Sequence, residues 1–222
     1  VIHLIIIKMK TRKIVYALLM AFFIFPATYA QSSANAVKVV NDMMNLLKTN
    51  AISTNFVMTV KEPTSTQAQS IKGNFTMKEN KFILNTDEMN VYFDGKTQSA
   101  YMTSVNEVSI TNPTEKELAE TNPLAVLSAY KNKSIIKFSK KSPSKTVHAI
   151  ELTPKDQNST IKKILVNVNK SNNYPLFVQL TDRKGAISTL TLSQFKTGLK
   201  ILDSSFVFNP KKYKDIEIND LR

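Results

Sequence analysis

GNFTMKENKFILNTDEMNVYFDGKTQSAYMTSVNEVSI, residues 73–110, is the stretch that decides the fold of this 222-residue chain. Its large apolar side chains alternate: Phe75 and Met77, then Phe82 and Leu84, then Met89, Val91 and Phe93. A period of two places them on one face of a β-sheet. Glu79-Asn80, Asp94-Gly95 and Asn106 supply turn residues between the runs. A sheet with one apolar face must cover that face or use it. Almost no catalytic residue type lies on it, which points to an apolar binding surface rather than to chemistry.

Upstream, residues 52–61 read as a strand with Ile52, Thr54, Phe56, Met58 and Val60 on one face, and residues 69–78 as another. Before them a helix is expected over about residues 34–48, with Ser33 as its N-cap. Ala36, Val37, Val40, Met43, Met44 and Leu47 form its stripe, and Val39 and Leu46 widen it to about half the circumference. Downstream, residues 112–123 are polar. Thr114 and Glu117 are spaced as a capping box for a short helix. A second helix is expected over residues 123–131, capped by Asn122 with Pro123 at its first position. Leu124, Val126, Leu127 and Tyr130 spread around that helix, as a lid over an apolar groove would require. Strands resume at 134–138, 147–152, 161–169, 174–181 and 186–192. Roughly ten or eleven short strands with few helices predict a curved antiparallel sheet, mainly β, with the helices packed on its concave side.

Residues 9–30 have the parts of a cleaved signal peptide: Lys10, Arg12 and Lys13, an apolar run from Ile14 to Phe25, and Thr28-Tyr29-Ala30 before the expected cut at Gln31. That run is shorter than the ~20 residues that span a bilayer. Met9 is the expected start, with residues 1–8 upstream of it. Residues 31–222 then form one domain. An exported chain without a single cysteine uses neither disulfides nor thiolate metal ligands. The net charge is +13; setting aside Lys8, Lys10, Arg12 and Lys13 of the first 30 residues, which hold no acidic residue, leaves +9. The lysines are spread along the chain, as on a solvated surface. A membrane surface or acidic partner ranks ahead of nucleic acid, which an exported protein rarely meets.

Nucleophilic catalysis needs a nucleophile, a base and an orienter. Past residue 30 the chain has one histidine, His148, in an alternating strand pattern. Glu115, Glu117 and Glu120 lie in the polar middle and read as a solvated face. The four glycines sit singly, and Asp94-Gly95-Lys96-Thr97 reads as a hairpin turn rather than as part of a phosphate cradle. No catalytic residue, metal or cofactor is expected. Methionines 43, 44, 58, 77, 89 and 102, all in predicted elements, suit an adaptable apolar site.

The order of a helix, the Phe56 strand, the Gly73-x-Phe75 strand, Lys81-Phe82, the Asp94-Gly95-Lys96-Thr97 hairpin, Tyr101 and the short apolar helix near residues 124–127 resembles the outer-membrane lipoprotein carrier family (LolA-like). The match is best over residues 36–130. Two positions depart from it: members often carry Arg-Pro where this chain has Lys78-Glu79-Asn80, and a glutamine common in the first strand is replaced near Met58.

The resemblance implies an incomplete antiparallel β-barrel, a half-barrel closed by an α-helical lid. It implies a non-enzymatic, monomeric periplasmic chaperone of the Gram-negative envelope that carries lipoproteins from the inner to the outer membrane by their acyl chains. Lipoprotein cargo, an inner-membrane lipoprotein-releasing transporter and an outer-membrane acceptor would be its partners. The alternative is a non-enzymatic binder or sensor of another lipid on the same fold. The expected cavity wall is Phe56, Met58, Phe75, Met77, Phe82, Leu84, Met89, Val91 and Phe93. Val40, Met43, Met44, Leu47, Leu124 and Leu127 are the expected helical contributions.

Overall fold

In a computed structural model, which describes residues 27–114, 117–118, 122 and 124–222, the alternating runs form strands close to where the pattern puts them. After helix α1 (Ala27–Thr49) come β1 (Ile52–Lys61), β2 (Gln69–Lys78), β3 (Lys81–Thr86), β4 (Met89–Phe93), β5 (Gln98–Met102) and β6 (Glu107–Thr111). Helix α2 (Ala125–Lys131) leads to β7 (Ser134–Phe138), β8 (Val147–Pro154), β9 (Ile161–Asn169), β10 (Pro175–Asp182) and β11 (Ile187–Lys196). Two 3₁₀ turns, Asp203–Phe206 and Pro210–Lys212, precede β12 (Glu217–Asp220). The expected signal peptide, up to residue 26, lies outside the described residues, as do Glu115 and Glu120.

The twelve strands among the described residues form one open sheet in the order β12-β6-β5-β4-β3-β2-β1-β11-β10-β9-β8-β7. Every pairing is antiparallel except β12 beside β6. The sheet does not close, because β7 and β12 are its two edges. The fold is therefore mainly β, an incomplete barrel with helices, as the strand count and the resemblance lead one to expect.

Register carries the apolar face from strand to strand. Ile52 pairs with Met77, Met77 with Phe82 and Phe82 with Phe93. One step along, Phe75 pairs with Leu84, Leu84 with Val91 and Val91 with Ala100. In the second half the same face runs through Leu190, Val178, Val166 and Ile150. Phe75, Phe82 and Phe93 stack in a tilted row, with ring centroids 5.8 Å and 5.4 Å apart. This face and the helices share one core.

Gly73 makes one approach possible. A Cβ there would lie 2.1 Å from the Asn85 carbonyl oxygen and 3.0 Å from the Phe56 ring. Only glycine lets β3 pass this close while Phe56, its partner on β1, lies over it.

Ala36, Val40, Met43 and Leu47 of α1 are buried in the core, whereas Val37, placed in the same stripe by the sequence, is exposed. The helix also begins earlier than the pattern indicates. Ser33 lies within it rather than capping it, and its Oγ donates to the Ile136 carbonyl 3.2 Å away, tying α1 to β7. The Thr114–Glu117 capping box forms: the Glu117 carboxylate accepts from the Thr114 amide at 2.7 Å, and Thr114 Oγ1 accepts from the Glu117 amide at 3.4 Å. Helix α2 begins at Ala125, two residues later than expected, and Asn122 Oδ1 accepts from the Leu124 amide at 2.9 Å just before it.

The opposite, convex face carries a second cluster. Tyr101 and Val108, with Tyr92 and Ile110 beside them, are covered by Phe208, Tyr213 and Ile216 of the C-terminal segment. Tyr101 alternates with the concave Ala100, so it points away from the apolar cavity face.

Candidate functional site

Where the core ends, the concave face opens into an apolar pocket of about 350 Å³. Its buried lining residues are Leu84, Phe56, Val178 and Leu190, and α2 adds Val126. Met58 and Met89 form flexible walls, and Ile71 and Met102 sit at the rim, 51% and 40% exposed. Such exposure of large apolar side chains beside a cleft marks a place where an apolar partner can continue the core.

Register explains why these residues meet. Met58 pairs with Ile71 on one side and Leu190 on the other, and Met89 pairs with Met102. Leu190 in turn pairs with Val178. The rim is fixed by polar bonds around the β3–β4 turn. Thr86 Oγ1 donates to the Met89 carbonyl at 2.9 Å and accepts from its amide at 3.0 Å, and Thr103 Oγ1 donates to the Glu88 carbonyl at 2.9 Å.

The nine expected strand residues divide by their position along the strands. Phe56, Met58, Leu84 and Met89 line the pocket. Phe75, Phe82, Val91 and Phe93 lie in the packed core, and Met77 lines a neighbouring groove. Of the helical six, Val40, Met43 and Leu127 are core residues, while Met44, Leu47 and Leu124 border that groove. Val126, named for the lid helix but not among the expected cavity residues, also lines the pocket, as do three residues that were not singled out, Val178, Leu180 and Leu190. The signal for the last three was the alternation in β10 and β11, which continues the same face across β1.

The neighbouring groove, about 440 Å³, runs between α1, α2 and the β2–β3 turn. It is more polar than the pocket: asparagines, Ser128, Glu79 and two lysines line it together with the apolar Leu47, Met77 and Leu124. Asn122 lines both spaces.

Neither space gathers a catalytic constellation. His148 stacks on Phe138 at 5.3 Å on the far half of the sheet. Burial, then the nearby Lys170 charge, lowers its pKa from the ordinary histidine value. Among the described residues no group of three His, Cys, Asp or Glu side chains is placed to hold a metal ion. The Asp94-Gly95-Lys96-Thr97 segment is the β4–β5 hairpin turn, with Asp94 Oδ1 accepting from the Lys96 and Thr97 amides at 2.9 Å and 2.8 Å.

The helices in the described part of the chain are not long and apolar enough to cross a membrane. The family model described as outer membrane lipoprotein carrier protein LolA matches residues 26–185. An outer-membrane lipoprotein carrier protein of Photobacterium profundum is 28% identical over 193 residues, covering 85% of this chain and 91% of that protein. The crystal structure of an uncharacterized conserved protein from Thermus thermophilus superposes with a TM-score of 0.53 at 13% identity, covering 84% of this chain and 99% of its own. A LolA superfamily protein from Nitrosomonas europaea aligns with a TM-score of 0.39 at 14% identity, over 78% of this chain and 97% of its own.

Proposed function

Because this chain belongs to the outer membrane lipoprotein carrier family, we propose that it is a non-enzymatic periplasmic chaperone that holds the acyl chains of lipoproteins and carries them from the inner to the outer membrane. The single observation that carries the reading is the apolar pocket at the mouth of the half-barrel, walled by Met58 and Met89 and lined from α2 by Val126. Each methylene withdrawn from water stabilises the complex by about 0.8 kcal/mol. An acyl chain free in the periplasm is therefore strongly disfavoured, and a half-open pocket holds it while leaving a better acceptor able to extract it. An inner-membrane transporter that releases the cargo and an outer-membrane acceptor are the partners this reading requires. The experiment is depletion of the protein in its own cell, followed by membrane fractionation. Lipoproteins stranded in the inner membrane are expected; unchanged sorting contradicts the proposal.

Pocket size favours a second reading. About 350 Å³ sits near the lower end of the roughly 300–1,000 Å³ of small-molecule sites. That suits one chain of a simpler lipid better than three chains at once, and a triacylated cargo needs α2 to move aside. Native mass spectrometry of the protein with its co-purified ligand separates the two: a lipopeptide supports the carrier, and a free lipid supports a binder or sensor of another ligand.

A further inference from the structure

The apolar pocket and the polar groove are separated by one short helix. Val126 of α2 faces the pocket, Ala125 and Ser128 face the groove, and Asn122 borders both. Asn122 is where the two spaces meet among the described residues, so a ligand with its chains in the pocket can reach the groove there. We propose that the groove between α1 and α2 is a binding subsite for the first few residues of the cargo's polypeptide, next to its lipidated end; this rests on the acyl-chain reading above.

The chemistry of the walls selects the occupant. Asn41 and Asn45 present amides from successive turns of α1, and Ser128 presents a hydroxyl from α2. Each such group both donates and accepts, which matches a peptide backbone with its alternating N–H and C=O groups. A phosphate headgroup is a poorer fit. It needs donors alone, whereas the amide oxygens of Asn41 and Asn45 line the groove and α1 turns its C-terminal, partially negative end toward it, with Lys48 in the last turn of α1 and Lys131 at the end of α2. Among the described residues neither lysine is in an ion pair. Both remain available to side chains of the bound segment, against one glutamate, Glu79. The apolar Leu47, Met77 and Leu124 give small side chains a place to rest.

Asn41, Asn45 and Ser128 are exposed on helices, where alanine is the best helix former, so an Asn41→Ala, Asn45→Ala, Ser128→Ala variant keeps the fold. Dissociation constants are measured for this variant and the unaltered full chain with three probes: a synthetic triacylated cysteinyl hexapeptide, palmitic acid and phosphatidylglycerol. The variant is expected to bind the lipopeptide about tenfold more weakly, the loss for one or two neutral hydrogen bonds, and to bind palmitate and phosphatidylglycerol as before. Equal weakening of all three, no weakening of any, or weakening of phosphatidylglycerol alone would overturn the subsite. Failure of the unaltered chain to bind any acyl probe would remove the acyl-chain reading and the subsite with it. Palmitate binding without a lipopeptide effect removes the subsite only.

Discussion

Strands β4–β6 have apolar side chains on both faces, and the two faces are closed by different means. On the convex side Tyr92, Tyr101 and Val108 are sealed by the C-terminal segment, with Tyr213 and Phe208 ring centroids 4.3 Å and 5.9 Å from that of Tyr101. Polar bonds pin this cover. Asn106 Nδ2 donates to the Lys214 and Asp215 carbonyls at 3.0 Å each, β12 pairs with β6, and Lys78 and Lys81 both hold the Asp203 carboxylate. Burial, together with a hydrogen bond to Tyr92, raises the Tyr213 phenol above its ordinary pKa. On the concave side α2 is seven residues long and lacks a side-chain bond at its N-cap, Leu124. Among the described residues its side-chain polar tie across to the sheet half is the contact of the Tyr130 hydroxyl with that of Ser159, in the loop before β9, at 3.3 Å, and around Leu127 it packs on apolar side chains. A cover held by directional bonds is structure. A cover held mainly by non-directional apolar contact can be exchanged for another apolar surface at little cost, which is what a lid over an acyl site needs.

The sharpest break of this contrast is Phe208→Ala. Removing a buried aromatic from the convex seal is expected to lower stability by about 3–5 kcal/mol, measured by chemical denaturation, while acyl-probe affinity of the folded fraction stays unchanged. A large loss of affinity at unchanged stability would erase the distinction between the faces. Next is Gly73→Ala, where the added methyl meets β3 backbone. Overpacking of this kind costs about 1–3 kcal/mol. Because Phe56 lies over Gly73, probe binding should fall together with the unfolding midpoint. On the lid, Val126→Asn places an amide against the apolar pocket. It is expected to weaken acyl binding about ten- to a hundredfold in a fluorescence titration, with little change in melting temperature.

The smallest effect concerns the Lys78–Asp203–Lys81 clasp. Hydrogen bonds from Lys78 and then Lys81 lower the Asp203 carboxyl from 3.8 to about 2. A pKa depressed in the folded state contributes stability above pH 3.8 and loses it as pH falls through about 2. The stability gap between the unaltered chain and Asp203→Asn should therefore be small at about pH 5 and close as the pH approaches about 2. A gap that widens on acidification would mean the clasp does not hold the cover.

Eleven of the twelve strands were legible because their side chains alternate. β12 was not, since Glu217–Asp220 is a four-residue, fully exposed edge whose pairing with β6 depends on the Asn106 anchor rather than on any pattern of its own. For the site, alternation assigns a face but not a position along it. Phe56, Met58, Leu84 and Met89 reach the open end, while Phe75, Phe82 and Phe93, identical in pattern, lie in the core with α1. Where a helix ends over a sheet is set by tertiary packing. The same holds for Val178 and Leu190, which join the pocket only because β11 pairs with β1 across more than a hundred residues of chain.

The most direct measurement uses a triacylated lipopeptide with photoreactive groups at the ends of its acyl chains, cross-linked to the folded protein and mapped by mass spectrometry. Saturable labelling of Met58, Val126 and Leu190 is the predicted result. Labelling of Tyr92 and Phe208 on the convex face, or labelling that fails to saturate at any site, would contradict it.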